Sequence, residues 1–295
     1  MLIQDRLKNT NSFSDTEKSI VDYFLKVQLD IKKENVRHIA EHTYTSPSSV
    51  LRVCQKIGFE GFVDFKEAYV KEIKYLSSHF QNVDANIPFS PNDKNTIIAN
   101  KIGTLYEETI RDTLSLIHHD TLQQAANMLE RAQTIYICAS GVSQSLVCVF
   151  KDNMVKIGKT VISFEYTGDA FYEACYRDEN ACFIIVSYSG ETTQVVRIAK
   201  KLKERQIPSI AITSYGNSTV ADHCDCHLCI STRQKLISNL GNFSINLSIL
   251  YLLDVLYANC FHFHYDEYLE NKVKFSKELE NERKSSNPIL KENHK

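Results

Sequence analysis

The 295-residue chain has no excess of charge of either sign: 34 Lys and Arg stand against 36 Asp and Glu. That balance excludes a protein held to nucleic acid or to a membrane by bulk charge, although a small reading head need not dominate the total. Long apolar runs are also missing. The longest, residues 247–256, is broken by Ser248, Tyr251 and Asp254 and falls short of the ~20 residues a bilayer requires. The first residues, Met1-Leu2-Ile3-Gln4-Asp5-Arg6, show no basic segment followed by an apolar core, so no secretory signal is expected. There is no disulfide pattern either. The nine cysteines are odd in number, and most sit inside apolar strings such as Ile135-Tyr136-Ile137-Cys138, as small buried hydrophobes do in a reducing compartment. These absences lead us to expect a cytoplasmic protein with no membrane partner. At 43% hydrophobic and 24% charged, the composition is that of a folded protein and excludes a disordered one.

The chain has room for about two domains, and its patterning divides accordingly. Residues 1–77 show helical periodicity and no strand alternation. Helices are expected at about 17–26 (capped by Ser14 or Asp15), 36–42, 47–57 and 62–75. Residues 78–93 lose all period and contain Pro88 and Pro91, the marks of a linker. A long helix at about 94–117 and a shorter one ending near Arg131 follow. From Gln133 the period switches: short strand-like runs at 134–138, 160–164, 181–187, 209–213 and 226–230 alternate with helices at about 144–157, 169–176 and 192–205. Strand–helix alternation predicts βαβ units, hence a doubly wound parallel sheet covered on both faces. A last apolar helix, about 242–260, is expected in the core or at a subunit interface. The expected layout is therefore multi-domain: an all-α head (1–77), a linker (78–93), an α/β domain with leading helices (94–265), and a charged tail (266–295) expected to be disordered after Asn281.

Within the head, residues 36–57 have helix-turn-helix spacing. Ala40 is small where two helices cross, and Ile39, Val50 and Val53 fall on the face they share. Ser46 is a good N-cap, and Pro47 follows where its missing N–H costs nothing. The second helix then presents Ser46, Ser48, Ser49 and Arg52, with Gln55 and Lys56 further along, to a DNA major groove. Serine hydroxyls can donate to phosphate or base edges, and Arg52 can pair bidentately with guanine. Lys32, Lys33 and Arg37 are candidates for backbone contacts, which give affinity without sequence preference. The turn holds Tyr44 where such turns usually hold glycine, at a cost on the order of 1 kcal/mol if the left-handed conformation is kept.

In the α/β half, Ser187-Tyr188-Ser189-Gly190-Glu191-Thr192-Thr193 follows an apolar strand and opens a helix. Ligands of such sheets bind at the carboxyl ends of strands, where helix N-termini offer free N–H groups. Ser187, Ser189 and Thr192 add hydroxyls, and Gly190 lets the backbone approach. Such a cradle suits a phosphate monoester; no Gly-Lys-Ser/Thr marks a nucleotide-binding loop. A second loop, Ala139-Ser140-Gly141-Val142-Ser143, repeats the arrangement after the first strand, and the two would converge on one crevice.

The paired loops resemble the SIS (sugar isomerase) domain. The head, with Ser46-Pro47-Ser48-Ser49-Val50-Leu51-Arg52 and Lys56-Ile57-Gly58-Phe59-Glu60-Gly61-Phe62, looks like that of the RpiR family of bacterial regulators. Alanine stands at 139 and serine at 49, where that family often has glycine and threonine. The resemblance implies sugar-phosphate-dependent control of operator DNA in carbohydrate metabolism, by a homodimer or homotetramer. It implies a ligand set of Ser140, Gly141, Ser143, Ser187, Ser189, Gly190, Glu191 and Thr192, with no cofactor. Because the fold also serves aldose–ketose isomerases, a base is the deciding feature. Glu191 sits at the helix start, where it stabilises the N-terminus, and residues 231–251 contain no Asp or Glu. A sensor is expected; an isomerase with a helical accessory domain and a silent scaffold are the rivals. Arg233 and Lys235 are read as a solvated loop. The cluster 223–229 (His-Cys-Asp-Cys-His-Leu-Cys) lacks paired zinc spacing, so no metal is expected.

Overall fold

The computed structural model describes residues 3–8, 13–78, 82–139, 141–280 and 287. The head contains α1 (Ile3–Lys8), α2 (Asp15–Val27), a 3-10 stretch (Gln28–Lys33), α3 (Val36–His42), α4 (Pro47–Lys56) and α5 (Phe62–Ser78). Local chemistry sets each boundary. Ser14 caps α2 in a reciprocal box with Glu17, Asn35 caps α3 and Ser46 caps α4, each satisfying an otherwise orphaned N–H. The Glu72 carboxylate reaches back from α5 to accept from the Ile3 and Gln4 N–H groups at 2.6 and 2.8 Å. Ile20, Phe24, Ile39, Val50, Val53, Phe65 and Tyr69 form the buried centre, and the Tyr69 hydroxyl donates to the Phe24 carbonyl.

The second half comprises α6 (Asn95–Ser115), α7 (His119–Arg131), β1 (Thr134–Ala139), α8 (Gln144–Val155), β2 (Thr160–Ser163), α9 (Thr167–Tyr176), β3 (Ala181–Val186), α10 (Thr193–Arg205), β4 (Ser209–Ser214), β5 (Cys226–Ile230), α11 (Phe243–Phe263) and α12 (Tyr265–Leu279). All five strands are parallel, in the order β2-β1-β3-β4-β5. Strand alternation divides the core. Ile135, Ile137, Ile184, Val186, Ile210 and Ile212 face α7, α8 and α11, while Tyr136, Cys138, Phe183, Ile185 and Ala211 face α9 and α10. Each large side chain so buried contributes roughly 1.5–3 kcal/mol.

At 21 residues α11 is long and apolar enough to cross a membrane. Ile249, Leu252, Leu253 and Leu256 on it are nonetheless fully buried against the sheet core, as in a core helix. Buried hydroxyls fix its register on α6: Thr109 donates to Ser244 at 2.9 Å and Thr113 to Ser248 at 3.2 Å.

Three sequence expectations need amendment. Residues 83–86, read as linker, are docked: Ala85 is buried, and Val83, Ala85 and Asn86 are all hydrogen-bonded to residues 233–240. Residues 266–279, read as charged tail, belong to α12. Arg233 is not solvated. Its side chain is 2% exposed and pairs with Glu108 of α6 at 2.6 Å, because a segment 125 residues away supplies the carboxylate. The disorder expected after Asn281 concerns residues outside those described.

Candidate functional site

The two hydroxyl-rich loops meet at the point where the strand order reverses. β1 lies beside both β2 and β3, so the connections after β1 and β3 leave in opposite directions and open a crevice between them. Register puts their origins level: Ala139 is opposite Val186. Gly141 takes φ +62° in the first loop, a conformation glycine adopts without steric cost. Ser143 is buried at the start of α8. Ser140 lies outside the described residues.

In the second loop Ser187 is buried, with its Oγ 3.4 Å from Thr192 Oγ1. The Ser189 hydroxyl accepts from the Glu191 N–H, and the Gly190 N–H donates to the Ser187 carbonyl. Neither Ser143 nor Thr192 caps its helix through its side chain. The aligned dipoles at the starts of α8 and α10 favour an anion near these loops.

Gly190 has φ +66°, and a Cβ there would stand 2.3 Å from both Cβ and Oγ of Ser218. Only glycine fits between the loops following β3 and β4. Glu191 reinforces that junction, since its carboxylate accepts from the N–H and hydroxyl of Thr219 at 2.8 and 2.7 Å. These bonds turn the carboxylate towards the neighbouring loop, where it braces the cradle.

Sequence reading missed two sets of residues. Ser218 and Thr219 shape the cradle from the loop after β4, with no signature to mark them. Glu108 and Asp112 of α6 bring carboxylates to a region whose own sequence has none: Glu108 pairs with Arg233, and Asp112 accepts from the Ser231 hydroxyl at 2.5 Å. Their spacing on an amphipathic helix was the available signal.

The second constellation is α4. Tyr44 does take the left-handed turn conformation, at φ +53°, and is 97% exposed. Solvation of the whole ring leaves the turn shape intact. The Ser46 hydroxyl lies 2.7 and 2.9 Å from those of Ser48 and Ser49, forming a polar knot at the helix start. Arg52 and Gln55 are exposed on the same helix. Lys56 faces elsewhere: its ammonium pairs with Glu17 at 2.7 Å and lies over the Phe13 ring. That pairing holds the Glu17 carboxyl below its usual range, chiefly through the Lys56 hydrogen bond and then the Ser14 backbone N–H.

In the cluster 223–229, His227 and Cys229 share one face of β5. His227 Nε2 lies 2.7 Å from Thr213 Oγ1 and 3.6 Å from Cys229 Sγ. Burial lowers the His227 pKa and pushes the Cys229 thiol up to about 11. Among the described residues no group of three or more His, Cys, Asp or Glu is placed to hold a metal.

Comparison with known proteins follows this division. Residues 1–75 match the helix-turn-helix domain of the rpiR family, and residues 128–259 match the SIS domain. An uncharacterised HTH-type transcriptional regulator of Caldanaerobacter subterraneus is 26% identical over 271 residues, covering 89% of this chain and 92% of that protein. The Vibrio vulnificus NanR protein, solved in complex with ManNAc-6P, superposes with a TM-score of 0.61 at 23% identity, over 96% of this chain and 100% of that one. The sugar isomerase domain of an RpiR transcription factor from Sphaerobacter thermophilus superposes with a TM-score of 0.53 at 16% identity, over 62% of this chain and 98% of that domain. Head, sheet and chain order all agree with these matches, and the chain belongs to the RpiR family of helix-turn-helix transcriptional regulators carrying an SIS domain.

Proposed function

We propose that the SIS crevice binds a sugar phosphate and that its occupancy sets the affinity of the head for operator DNA. The observation that carries this reading is the level register of β1 and β3 at the switch point, from which two hydroxyl-bearing loops, one with Ser143 and one with Ser187, Ser189 and Thr192, lead into the starts of α8 and α10. This is a cradle of dipoles, suited to a phosphate dianion that must bind and leave reversibly. The sugar phosphate bound by the NanR neighbour supports the same ligand class. Gly141 and Gly190 admit the ligand backbone-close, Ser140 joins the donors, and Glu191 keeps the cradle in shape.

On the DNA side, Arg52 and Gln55 read base edges while Ser46, Ser48 and Ser49 position the helix on phosphates. Lys56 steadies the head through Glu17. The protein acts in the cytoplasm as a homo-oligomer, a role supported by the exposed stripe Tyr106, Ile110 and Leu114 along α6. It performs no isomerisation. Two carboxylates that reach residues 231–234, Glu108 and Asp112, are engaged by Arg233 and Ser231, and neither is a free base.

A thermal-shift screen tests the reading, using pentose 5-phosphates, hexose 6-phosphates and N-acetylhexosamine 6-phosphates, with the unphosphorylated sugars as controls. A stabilising sugar phosphate is expected, at about 2.7 kcal/mol when present at 100 times its Kd. No shift with any of them, or turnover of one by purified protein, would refute the reading.

A further inference from the structure

The loop that cradles the phosphate also holds the segment leading to the DNA-reading head. Tyr188 lies between Ser187 and Ser189, and its hydroxyl makes two bonds to one residue. It donates to the Gln234 carbonyl at 2.7 Å and accepts from the Gln234 N–H at 3.2 Å. Gln234 is 5% exposed, and its side chain is fully used. Nε2 donates to the carbonyls of Ala85 (2.9 Å) and Gly241 (2.6 Å), and Oε1 accepts from the Ile245 N–H at the start of α11 (3.1 Å).

The residues flanking Gln234 grip the same stretch. Arg233 donates to the Val83 carbonyl at 3.0 Å, and the Lys235 N–H donates to Asn86 Oδ1 at 2.7 Å. The Leu240 N–H donates to the Asn86 carbonyl at 2.9 Å. Residues 83–86 begin only five positions beyond the end of α5, the last helix of the head. A chain of hydrogen bonds therefore runs from the phosphate loop to the interdomain segment.

We infer that Tyr188, Gln234 and Asn86 form the relay by which occupancy of the crevice reaches the head. The relay rests on the functional reading above and adds its route. Phosphate bonded by Ser187 and Ser189 fixes the backbone on both sides of Tyr188. Because the Tyr188 hydroxyl is bonded twice to the Gln234 main chain, any change in its position moves Gln234 or breaks two buried bonds. Gln234 in turn cannot move without disturbing Ala85 through its side chain and the Asn86 side chain through the adjoining Lys235 N–H. Loss of a buried partner is costly, so the ensemble responds by shifting the segment as a unit. Coupling of this kind needs an element that both sites bias, and residues 83–86 are held by one site and joined covalently to the other.

The test uses the full chain and Asn86→Ala, a residue outside the phosphate cradle. The sugar phosphate giving the largest shift in the thermal screen is the probe, with inorganic phosphate beside it. Wild type should change its operator Kd on adding the sugar phosphate, within the roughly 5–150-fold typical of such coupling. Asn86→Ala should bind the sugar phosphate as tightly as wild type while its operator Kd changes by about 2-fold or less.

Tyr188→Phe, which removes only the hydroxyl and keeps the ring, supplies a second readout without ligand. Amide exchange at Leu240 should accelerate although Tyr188 does not touch it. An Asn86→Ala protein that responds like wild type, or unchanged Leu240 protection in Tyr188→Phe, overturns the relay alone. A wild type that no sugar phosphate stabilises overturns the functional reading, and the relay with it.

Discussion

Gly190→Ala gives the sharpest check on the cradle. The new Cβ would meet Ser218 Cβ and Oγ at 2.3 Å and Thr213 Cγ2 at 3.4 Å, where carbon contacts are optimal near 3.5–4.0 Å. One loop must move by more than an ångström. Neither is free to do so: Gly190 donates to Ser187 and accepts from Val220, while Ser218 is buried and bonded to Ala221 and Asp222. The left-handed backbone costs about 1 kcal/mol for alanine, and forced overpacking about 1–3 kcal/mol more. The sum, about 2–4 kcal/mol, corresponds to a fall of roughly 5–15 °C in the melting temperature of a domain this size. Calorimetry should show this fall in the SIS transition and leave that of the head unchanged. Adding Ser218→Gly removes both clashing atoms, so the double variant should recover the steric part and retain the left-handed part. If Gly190→Ala melts within about 1 °C of wild type, well below the shift expected from that cost, or Ser218→Gly restores nothing, the loop packing described above is wrong.

Three further outcomes are expected. Arg52→Ala should weaken operator binding by about 1–3 kcal/mol, the worth of a bidentate base contact; band-shift titration at fixed salt measures it, and an unchanged melting temperature confirms that the exposed side chain carries no fold. Glu17→Gln leaves a residue that can complete the α2 cap box but removes the charge that pairs with Lys56, and should destabilise the head by about 1 kcal/mol at neutral pH. Because the folded Glu17 carboxyl is held below its unfolded value, that stabilisation is present above about pH 4.3 and is lost as pH falls through the folded pKa, so wild-type and variant melts should converge in acid. Arg233→Ala should cost about 3–5 kcal/mol by stranding the Glu108 carboxylate, and Arg233→Met with Glu108→Leu should recover most of it in a urea titration.

Features that depend on near neighbours along the chain are legible in the order of residues alone. The unbroken apolar run places β3 at 181–186, and Ser46-Pro47 places the start of α4 to the residue because a cap and an N1 proline act within one turn. The hydroxyl loops are readable for the same reason, each being a strand end followed by a helix start. Helix α12 escapes such reading because nearly half of its residues are charged and none is buried, so its periodicity is weak.

Other features require the chain to fold. The hydrophobic pattern of five similar strands does not rank them; the order β2-β1-β3-β4-β5, which creates the switch point, comes from packing helices on both faces. Glu108 meets Arg233 across 125 residues, Lys56 pairs with Glu17 across 39, and Gln234 clasps Ala85 across 149. Sequence determined which residues could donate, accept or cap, since those capacities are intrinsic to the side chains. Tertiary structure decided which partner each one met, because pairing between distant segments is fixed only when burial removes water as the competing partner.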